Sequence, residues 1–252
     1  MKIALLADIH GNSIALDAVL KDIEERSGVD SYGLLGDYCA IGPDPVGVLE
    51  RLARLPIRFC IRGNTDRFLT DITYPEPTIA DATSNPEQIE IVAEIRATFG
   101  WVQGAVTATG WFDWLAALPL DYRETLPDGT RLLAVHAAPE RDDNPAIEPT
   151  TPEAELVAML TGCEANLVLT GHTHCVHDRS VSGIHALNPG SVSNAKSPDL
   201  RAKYAILSTD DAGYRIEQRY VDYDREAVVR MLYEKHYPAP DYVTRFMRGK
   251  IR

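Results

Sequence analysis

The chain has 252 residues, in which 25 lysine and arginine residues stand against 37 aspartate and glutamate residues, so its formal charge at pH 7 is −12. This excess of negative charge argues against a protein that coats nucleic acid, because an acidic surface repels a polyanion. The length suits one large mixed α/β domain over residues 1–252, and no flexible linker divides it.

The first residues carry a lysine and then an apolar run, as a signal peptide would, but the run stops at Asp8. Residues 2–7 are therefore predicted to form a buried strand. No later apolar stretch approaches the roughly 20 residues that cross a bilayer, so we expect a soluble protein without a membrane partner. The cysteines lack CxxC spacing, which favours reduced thiols and a cytoplasmic location; they are Cys39, Cys60, Cys163 and Cys175.

The next segment alternates predicted helices and strands. A helix begins at about Ser13, with Leu16, Leu20 and Ile23 on one face. Two further strands are predicted at 32–35 and 57–61, with a helix between them through Val48, Leu49 and Leu52. This βαβαβ order predicts a parallel sheet whose functional loops lie at the carboxyl ends of its strands.

The pattern changes at about residues 67–119, which we interpret as a helical insertion. Pro86 suits the first turn of a helix that continues through Ile89, Val92 and Ile95. Four aromatic residues follow, and they could cover a substrate, form a dimer surface or simply pack against the domain: Trp101, Trp111, Phe112 and Trp114. A homo-oligomer is therefore compatible with the sequence.

Beyond the insertion most segments are predicted strands, at 122–126, 132–136, 167–170, 176–181, 184–187, 204–208 and 214–220. One helix interrupts them, with Thr150 and Glu153 at the spacing of a capping box and Pro152 in the first turn. A C-terminal unit at about 203–252 combines a hairpin at 210–213 with helices from about Asp224 to Glu234 and after Pro240.

Short polar motifs follow several of these strands: Asp8-Ile9-His10, Gly36-Asp37, Gly63-Asn64-Thr65-Asp66, His136 and Gly171-His172-Thr173-His174. Residues i and i+2 of a strand point to one face, so each Asp-x-His or His-x-His pair is expected to form a bidentate metal clamp. Two divalent cations held by two carboxylates retain a net charge of about +2, which suits a phosphate ester.

Together these motifs resemble the calcineurin-like metallophosphoesterase family, whose pattern is DxH, GDxx, GNH(D/E), a lone histidine and GHxH in this order. The resemblance covers roughly residues 1–190. It implies a four-layer α/β/β/α sandwich of two mixed sheets. It also implies that one metal is held by Asp8, His10, Asp37 and His174, and the other by Asp37, Asn64, His136 and His172. Asn188-Pro189-Gly190-Ser191 resembles a turn beside the site in small bacterial members.

The resemblance implies two divalent transition-metal ions, Mn, Fe, Zn or Ni with Mn favoured, and a metal-bridging hydroxide that attacks a small phosphate ester. A diester is preferred to a monoester. The alternative is a catalytically weak scaffold that keeps the fold and binds a protein partner. A turnover assay on an activated diester with manganese would separate the two.

One position departs from the family pattern. Thr65 replaces the histidine that, with the acid after it, is the family's expected proton donor, and Asp66 is retained. Threonine is no general acid near neutral pH, and losing such a group costs typically about 10²–10⁴-fold in rate. We expect catalytic roles for Asp66 and Asn64.

Further candidates are weighed against structural alternatives. Substrate contacts are expected from Asn12, Asn64 and Arg67, although Asn12 also suits a helix cap, and Arg62 and Arg67 suit ordinary ion pairs. The remaining histidines are more typical of a hairpin or the surface than of a replacement acid: His177, His185 and His236.

Overall fold

A computed structural model describes residues 1–26 and 28–250, which form two five-stranded sheets flanked by helices. The strands in chain order are β1 Lys2–Leu6, β2 Ser31–Leu34, β3 Ile57–Cys60, β4 Asp121–Thr125, β5 Arg131–Val135, β6 Leu167–Leu169, β7 His177–Val181, β8 Ile184–Asn188, β9 Ala202–Asp210 and β10 Gly213–Val221. These bounds lie within about two residues of the predicted ones.

The α-helices in chain order are α1 Ser13–Arg26, α2 Pro45–Leu52, α3 Asn64–Thr70, α4 Ile79–Ser84, α5 Ile89–Ala108, α6 Phe112–Ala116, α7 Glu153–Leu160, α8 Arg225–Glu234 and α9 Pro240–Met247. A short 3₁₀ turn at Pro86–Gln88 precedes α5, so Pro86 begins a 3₁₀ turn rather than the α-helix itself. No helix in these two described ranges is both long enough and apolar enough to cross a membrane.

The first sheet has the order β10-β9-β1-β2-β3, and the second has the order β4-β5-β6-β8-β7. Strands β1, β2 and β3 run parallel, as the βαβαβ pattern predicts, and β9 adds to β1 in the antiparallel direction. In the second sheet β5, β6 and β8 run parallel, with antiparallel strands at both edges. Both sheets are therefore mixed.

The alternation of side chains along β1 explains the layers. Ala4 and Leu6 pack against α1 and α2, whereas Ile3 and Leu5 pack against the second sheet. The far face of the second sheet is covered by α7. The order helix, sheet, sheet, helix confirms the predicted four-layer sandwich, and it explains why residues 3–7 read as a continuous apolar run.

The aromatic residues of the insertion pack against the domain. The Trp114 ring lies 5.8 Å from that of Tyr38 and 6.0 Å from that of Trp111, and the Trp101 ring lies 5.4 Å from that of Tyr237. Trp101 thereby joins α5 to the C-terminal helices. Of the three readings of these aromatics, this geometry favours packing.

One predicted helix start is wrong in its detail. Pro152 is the N-cap residue of α7 rather than a first-turn residue, and the cap has no side-chain hydrogen bond. The Thr151 hydroxyl instead accepts the backbone N–H of Glu148. The predicted capping box between Thr150 and Glu153 is therefore not formed, because the helix begins two residues later than the box requires.

Candidate metal centre

The polar motifs lie at the carboxyl ends of parallel strands from both sheets. Asp8 follows β1, Asp37 follows β2 and Asn64 follows β3, while His136 and the His172–His174 loop follow β5 and β6. The two sheets pack face to face with these ends at the same side, so these five loops meet at one place. The fold thus brings together residues that are up to 166 positions apart in the chain.

The backbone at these positions is unusual. Five of the candidate ligands have a positive φ: Asp8 54°, His10 49°, Asp37 61°, His172 65° and His174 59°. They therefore lie on turns beyond the strands. The expectation that alternation within a strand aims each pair at the metal is wrong; left-handed turns aim these side chains inward instead.

Two glycines permit the close approach of the loops. A Cβ atom on Gly36, whose φ is +94°, would lie 2.6 Å from the backbone nitrogen of Gly63 and 2.6 Å from Nδ1 of His136. A Cβ atom on Gly63 would collide with the carboxylate of Asp37. A side chain at either position would push the carboxylate and the imidazole apart.

Three buried histidines present the same ring nitrogen to the centre. Nδ1 of His10 lies 2.9 Å from the carbonyl oxygen of Ala40, and Nδ1 of His136 lies 2.6 Å from that of Leu35. Nδ1 of His174 lies 2.6 Å from the carbonyl oxygen of Asn194. Each Nδ1–H donates to a carbonyl, so Nε2 is the nitrogen that faces the centre and can bind a cation once it is deprotonated, as in metal-ligating histidines.

These nitrogens and two carboxylates are closely spaced. Oδ2 of Asp37 lies 3.7 Å from Nε2 of His10 and 3.5 Å from Nε2 of His136. Nε2 of His10 and Nε2 of His174 are 3.0 Å apart. Two nitrogens each about 2.1 Å from one cation are roughly 3 Å apart when they occupy neighbouring positions around it, so this pair fits a common metal.

Two compact groups could hold a metal ion: Asp8 with His10 and His174, and Asp8 with Asp37 and His136. The groups share Asp8, whereas the family pattern assigns the shared position to Asp37. Oδ2 of Asp37 lies near both His10 of the first group and His136 of the second. Asp37 therefore also lies between the two groups. Within residues 1–26 and 28–250, Oδ2 of Asp8 and Nε2 of His136 are buried without a hydrogen-bond partner, which a cation would satisfy.

Asn64 and His172 form the outer part of the centre. Oδ1 of Asn64 lies 3.0 Å from Nδ1 of His172, and Nε2 of His172 lies 3.3 Å from Oδ1 of Asn144. If His172 binds through Nδ1, its Nε2–H donates to Asn144. Asn144 then does for this histidine what backbone carbonyls do for the other three.

The charges within the centre are strongly coupled. Burial opposes a protonated His136, but the Asp37 carboxylate outweighs it and raises the pKa of His136 to about 10. Burial raises the pKa of Asp8 to about 7, and burial lowers the pKa of His172 to about 4. Two carboxylates buried side by side need cationic partners, because an unpaired buried charge is very costly.

Asp66 is held by backbone groups of two neighbouring loops. Its side chain is fully buried, and its carboxylate accepts the backbone N–H groups of Asp37 at 2.8 Å, Tyr38 at 3.1 Å and Gly63 at 2.9 Å. These bonds tie the β2 and β3 loops together. These contacts suit a positioning residue, and the expected catalytic role of Asp66 stays a prediction.

Two expected substrate contacts are engaged elsewhere. Oδ1 of Asn12 accepts the backbone N–H of Ala15 at 3.0 Å, and its Nδ2 donates to Ser193 at 2.9 Å, so buried Asn12 caps α1. Nε of Arg67 donates to Asp142 at 3.0 Å, as Nε of Arg62 does at 2.8 Å. The helix cap at Asn12 and the ion pair at Arg67 are thus both present, and the expected substrate contacts of Asn12, Asn64 and Arg67 stay predictions.

The other histidines lie away from the centre. His177 is buried in β7 and His185 lies in β8, where its Nε2 is 2.8 Å from Asp178. They belong to one hairpin, as expected, and His236 is exposed. Thr65 is beside the centre, and its N–H donates to Oδ1 of Asp37 at 3.0 Å.

Sequence reasoning missed Asn144 and the supporting role of Asn188. Nδ2 of Asn188 donates to the Gly171 carbonyl and, at 3.1 Å, to Thr173, which fixes the loop that carries His172. The resemblance of the turn at Asn188 to a turn beside the site in family members did indicate that Asn188 lies near the centre. Asn144 had no such signal beyond its place in a polar segment after His136.

Comparison with known proteins agrees with this architecture. The calcineurin-like phosphoesterase superfamily domain matches residues 1–212, and the chain belongs to that superfamily. An uncharacterized protein of Methanocaldococcus jannaschii is 26% identical over 250 residues, which cover 92% of this chain and 90% of the relative.

Two solved structures share the fold. A hypothetical protein of Pyrococcus horikoshii has a TM-score of 0.79 at 21% identity, covering 98% of this chain and 97% of that one. A metallophosphoesterase of Sphaerobacter thermophilus has a TM-score of 0.76 at 22% identity, covering 100% and 99%. The chain is thus a member of a phosphoesterase superfamily with candidate metal-ligand groups at the family's site.

Proposed function

We propose that this protein is a phosphodiesterase that uses two divalent transition-metal ions. The observation that carries the proposal is the position of Asp37, whose Oδ2 lies between His10 and His136 and so suits a ligand shared by two ions. Asp8, His10 and His174 would complete one site, and Asn64, His136 and His172 the other. Imidazole, carboxylate and amide donors without thiolate suit Mn, Fe, Zn or Ni, and we favour Mn for activity.

When bound, such a pair of ions lowers the pKa of a shared water and neutralises the phosphoryl oxygens. Hydrolysis would form one bond from a water oxygen to phosphorus and break the ester P–O bond; the attacking water would lose a proton to solvent, and the departing alkoxide would take one from solvent. Thr65 supplies no acidic proton at this point. We therefore propose that the protein favours esters whose alcohols leave without assistance.

The cleft beside the centre has room for the organic part of an ester. A cleft of about 630 Å³ is lined at one end by Asn64 and Thr65. This volume is large enough for an organic group on the phosphate.

The free thiols of the four cysteines suit the reducing cytoplasm, which we propose as the location.

The test measures turnover and metal content together. Protein with added manganese is expected to hydrolyse bis(4-nitrophenyl) phosphate, and Asp37→Asn is expected to abolish turnover and weaken both metal sites. Asp199→Asn, on a surface loop paired with Arg201, is the matched control. If Asp37→Asn empties one site and leaves the other at full affinity, the bridging role is wrong. If two ions bind without turnover, the scaffold function gains support.

A further inference from the structure

The cleft beside the metal centre extends well past the space that a phosphate needs. Its inner end is formed by Asn64 and Thr65, and its volume of about 630 Å³ is typical of sites for whole organic ligands. Phe68, Phe99 and Tyr242 contribute apolar surface to its walls. The cleft therefore has room and apolar walls for the organic part of an ester.

One face of α5, with the 3₁₀ turn before it, forms the longest wall. Glu87, Glu90 and Glu94 recur every three or four residues on the side that also carries Ile91 and Ile95. Exposure increases along this face, from half-buried Ile95 to Ile91, which is 45% exposed. The glutamates thus stand along the outer part of the cleft.

The charges of the cleft are unbalanced. Four glutamates line it, with Glu76 as the fourth, against two cations, Lys196 and Arg245. In residues 1–26 and 28–250 the structure records no salt bridge for any of these six side chains. Lys196 interacts electrostatically with Asp8 and His172, which places its charge toward the metal end. Negative charge therefore dominates away from the phosphate position.

A second observation points to a ligand at the inner end. Thr65 is only 4% exposed, and its Oγ1 has no hydrogen-bond partner among the residues that the structure describes. Thr65 lines the cleft, but its Oγ1 is buried below the wall, so a group bound at the inner end pairs with it when the Thr65 side chain turns toward the cleft. A buried hydroxyl is rarely left unpaired, and such a group calls for an explanation.

We propose that the cleft binds the alcohol portion of the phosphate ester and selects an organic cation there, such as an amino alcohol, against an anionic group. The carbon skeleton contacts the aromatic walls, the face of Tyr242 and the glutamates attract the ammonium, and Lys196 faces the phosphate. Like-charged glutamates one turn apart repel each other, and a bound cation relieves this repulsion. The inference rests on the proposed function, because it assumes that the phosphate lies at the metal centre.

The experiment compares three 4-nitrophenyl phosphodiesters with one leaving group and different second alcohols: trimethylammonioethyl, its uncharged isostere 3,3-dimethylbutyl, and carboxyethyl. At low salt, manganese-loaded protein is expected to show a kcat/KM at least about tenfold higher for the cationic ester than for the anionic ester. The uncharged ester should fall between them, so that charge rather than shape sets the order.

The variant combines Glu87→Gln, Glu90→Gln and Glu94→Gln, which are exposed substitutions that leave the core intact. It is expected to bring the cationic-to-anionic ratio close to one. The control combines Glu24→Gln, Glu50→Gln and Glu155→Gln, which changes the net charge equally at exposed positions outside the cleft. The control should keep the wild-type ratio.

Binding of choline phosphate and of carboxyethyl phosphate, measured by calorimetry on the same proteins, separates this inference from the proposed function. Turnover without a charge preference, or an equal loss of preference in the control, overturns the inference and leaves the phosphodiesterase standing. Tighter binding of choline phosphate that the cleft variant loses, without turnover of any ester, supports the cation site and overturns the phosphodiesterase. Absence of both binding and turnover overturns both.

Discussion

The clearest test of how the centre is supported is to remove the side chain of Asn144. The other three centre histidines are held by backbone carbonyls, which no substitution can delete, whereas His172 contacts a side-chain oxygen. Asn144→Ala removes that acceptor without touching a ligand. The position therefore offers a selective way to weaken one histidine of the centre.

The size of the effect follows from the contact. Losing a hydrogen-bond partner of a metal-ligating histidine costs typically about 10–100-fold in metal affinity. Here the distance from Nε2 of His172 to Oδ1 of Asn144 is long, at 3.3 Å, and the His172 side chain is 13% exposed, so water can replace part of the bond. We expect the lower limit, about tenfold or roughly 1.4 kcal/mol.

The assay is calorimetric titration of metal-depleted protein with manganese. Asn144→Ala should weaken one of two binding events, and Asn144→Asp, which keeps an acceptor oxygen, should restore it. Asn166→Ala is the matched control, because Asn166 bonds Arg131 away from the centre. Wild-type affinity at both sites in Asn144→Ala would refute the supporting role of this residue.

Three further outcomes are expected. Thr65→His should raise turnover of alkyl diesters by up to about 10²–10⁴-fold and of nitrophenyl diesters much less; equal gains for both would contradict the missing-acid interpretation. Trp114→Ala should lower the unfolding free energy by about 2 kcal/mol, since this ring is half-buried, and leave KM unchanged. A changed KM would instead favour the alternative that these aromatic residues cover the substrate. Burial lowers the pKa of His177 to about 4 in the folded protein. Below about pH 6.5 the unfolded chain therefore protonates this histidine while the folded protein does not, and the free energy of unfolding falls as the pH is lowered. His177→Leu should therefore gain about 2 kcal/mol relative to wild type between pH 7 and pH 5 in urea unfolding, and an unchanged difference would refute this.

The fold and the convergence of the candidate ligands were predictable because their signals are local in sequence. Apolar runs fixed the strands, and a polar motif directly after a strand marks a loop at the sheet edge. The motif order predicted that Asp8 and His174 lie close together, but the alternation of side chains within a strand is not what aims them at the centre. Left-handed turns, which depend on tertiary contacts, aim these side chains.

The outer contacts were not predictable for a physical reason. Asparagine suits both a helix cap and a phosphate contact, and only the positions of Ser193 and Ala15 decide for Asn12. The cleft wall from α9 depends on how a C-terminal helix returns to the site, and Tyr242 carries no local sign of that. Such residues are identified by packing between distant segments.

The left-handed backbone at five candidate ligands bears on how the protein evolves. An L-residue in this region costs of order 1 kcal/mol, and glycine adopts it without that cost. Replacing Asp8 or Asp37 by glycine would relieve this strain and also remove a buried carboxylate. Backbone strain therefore does not oppose the loss of a candidate ligand at any of these five turns, and a chain that no longer needed the chemistry of these side chains could lose them one at a time.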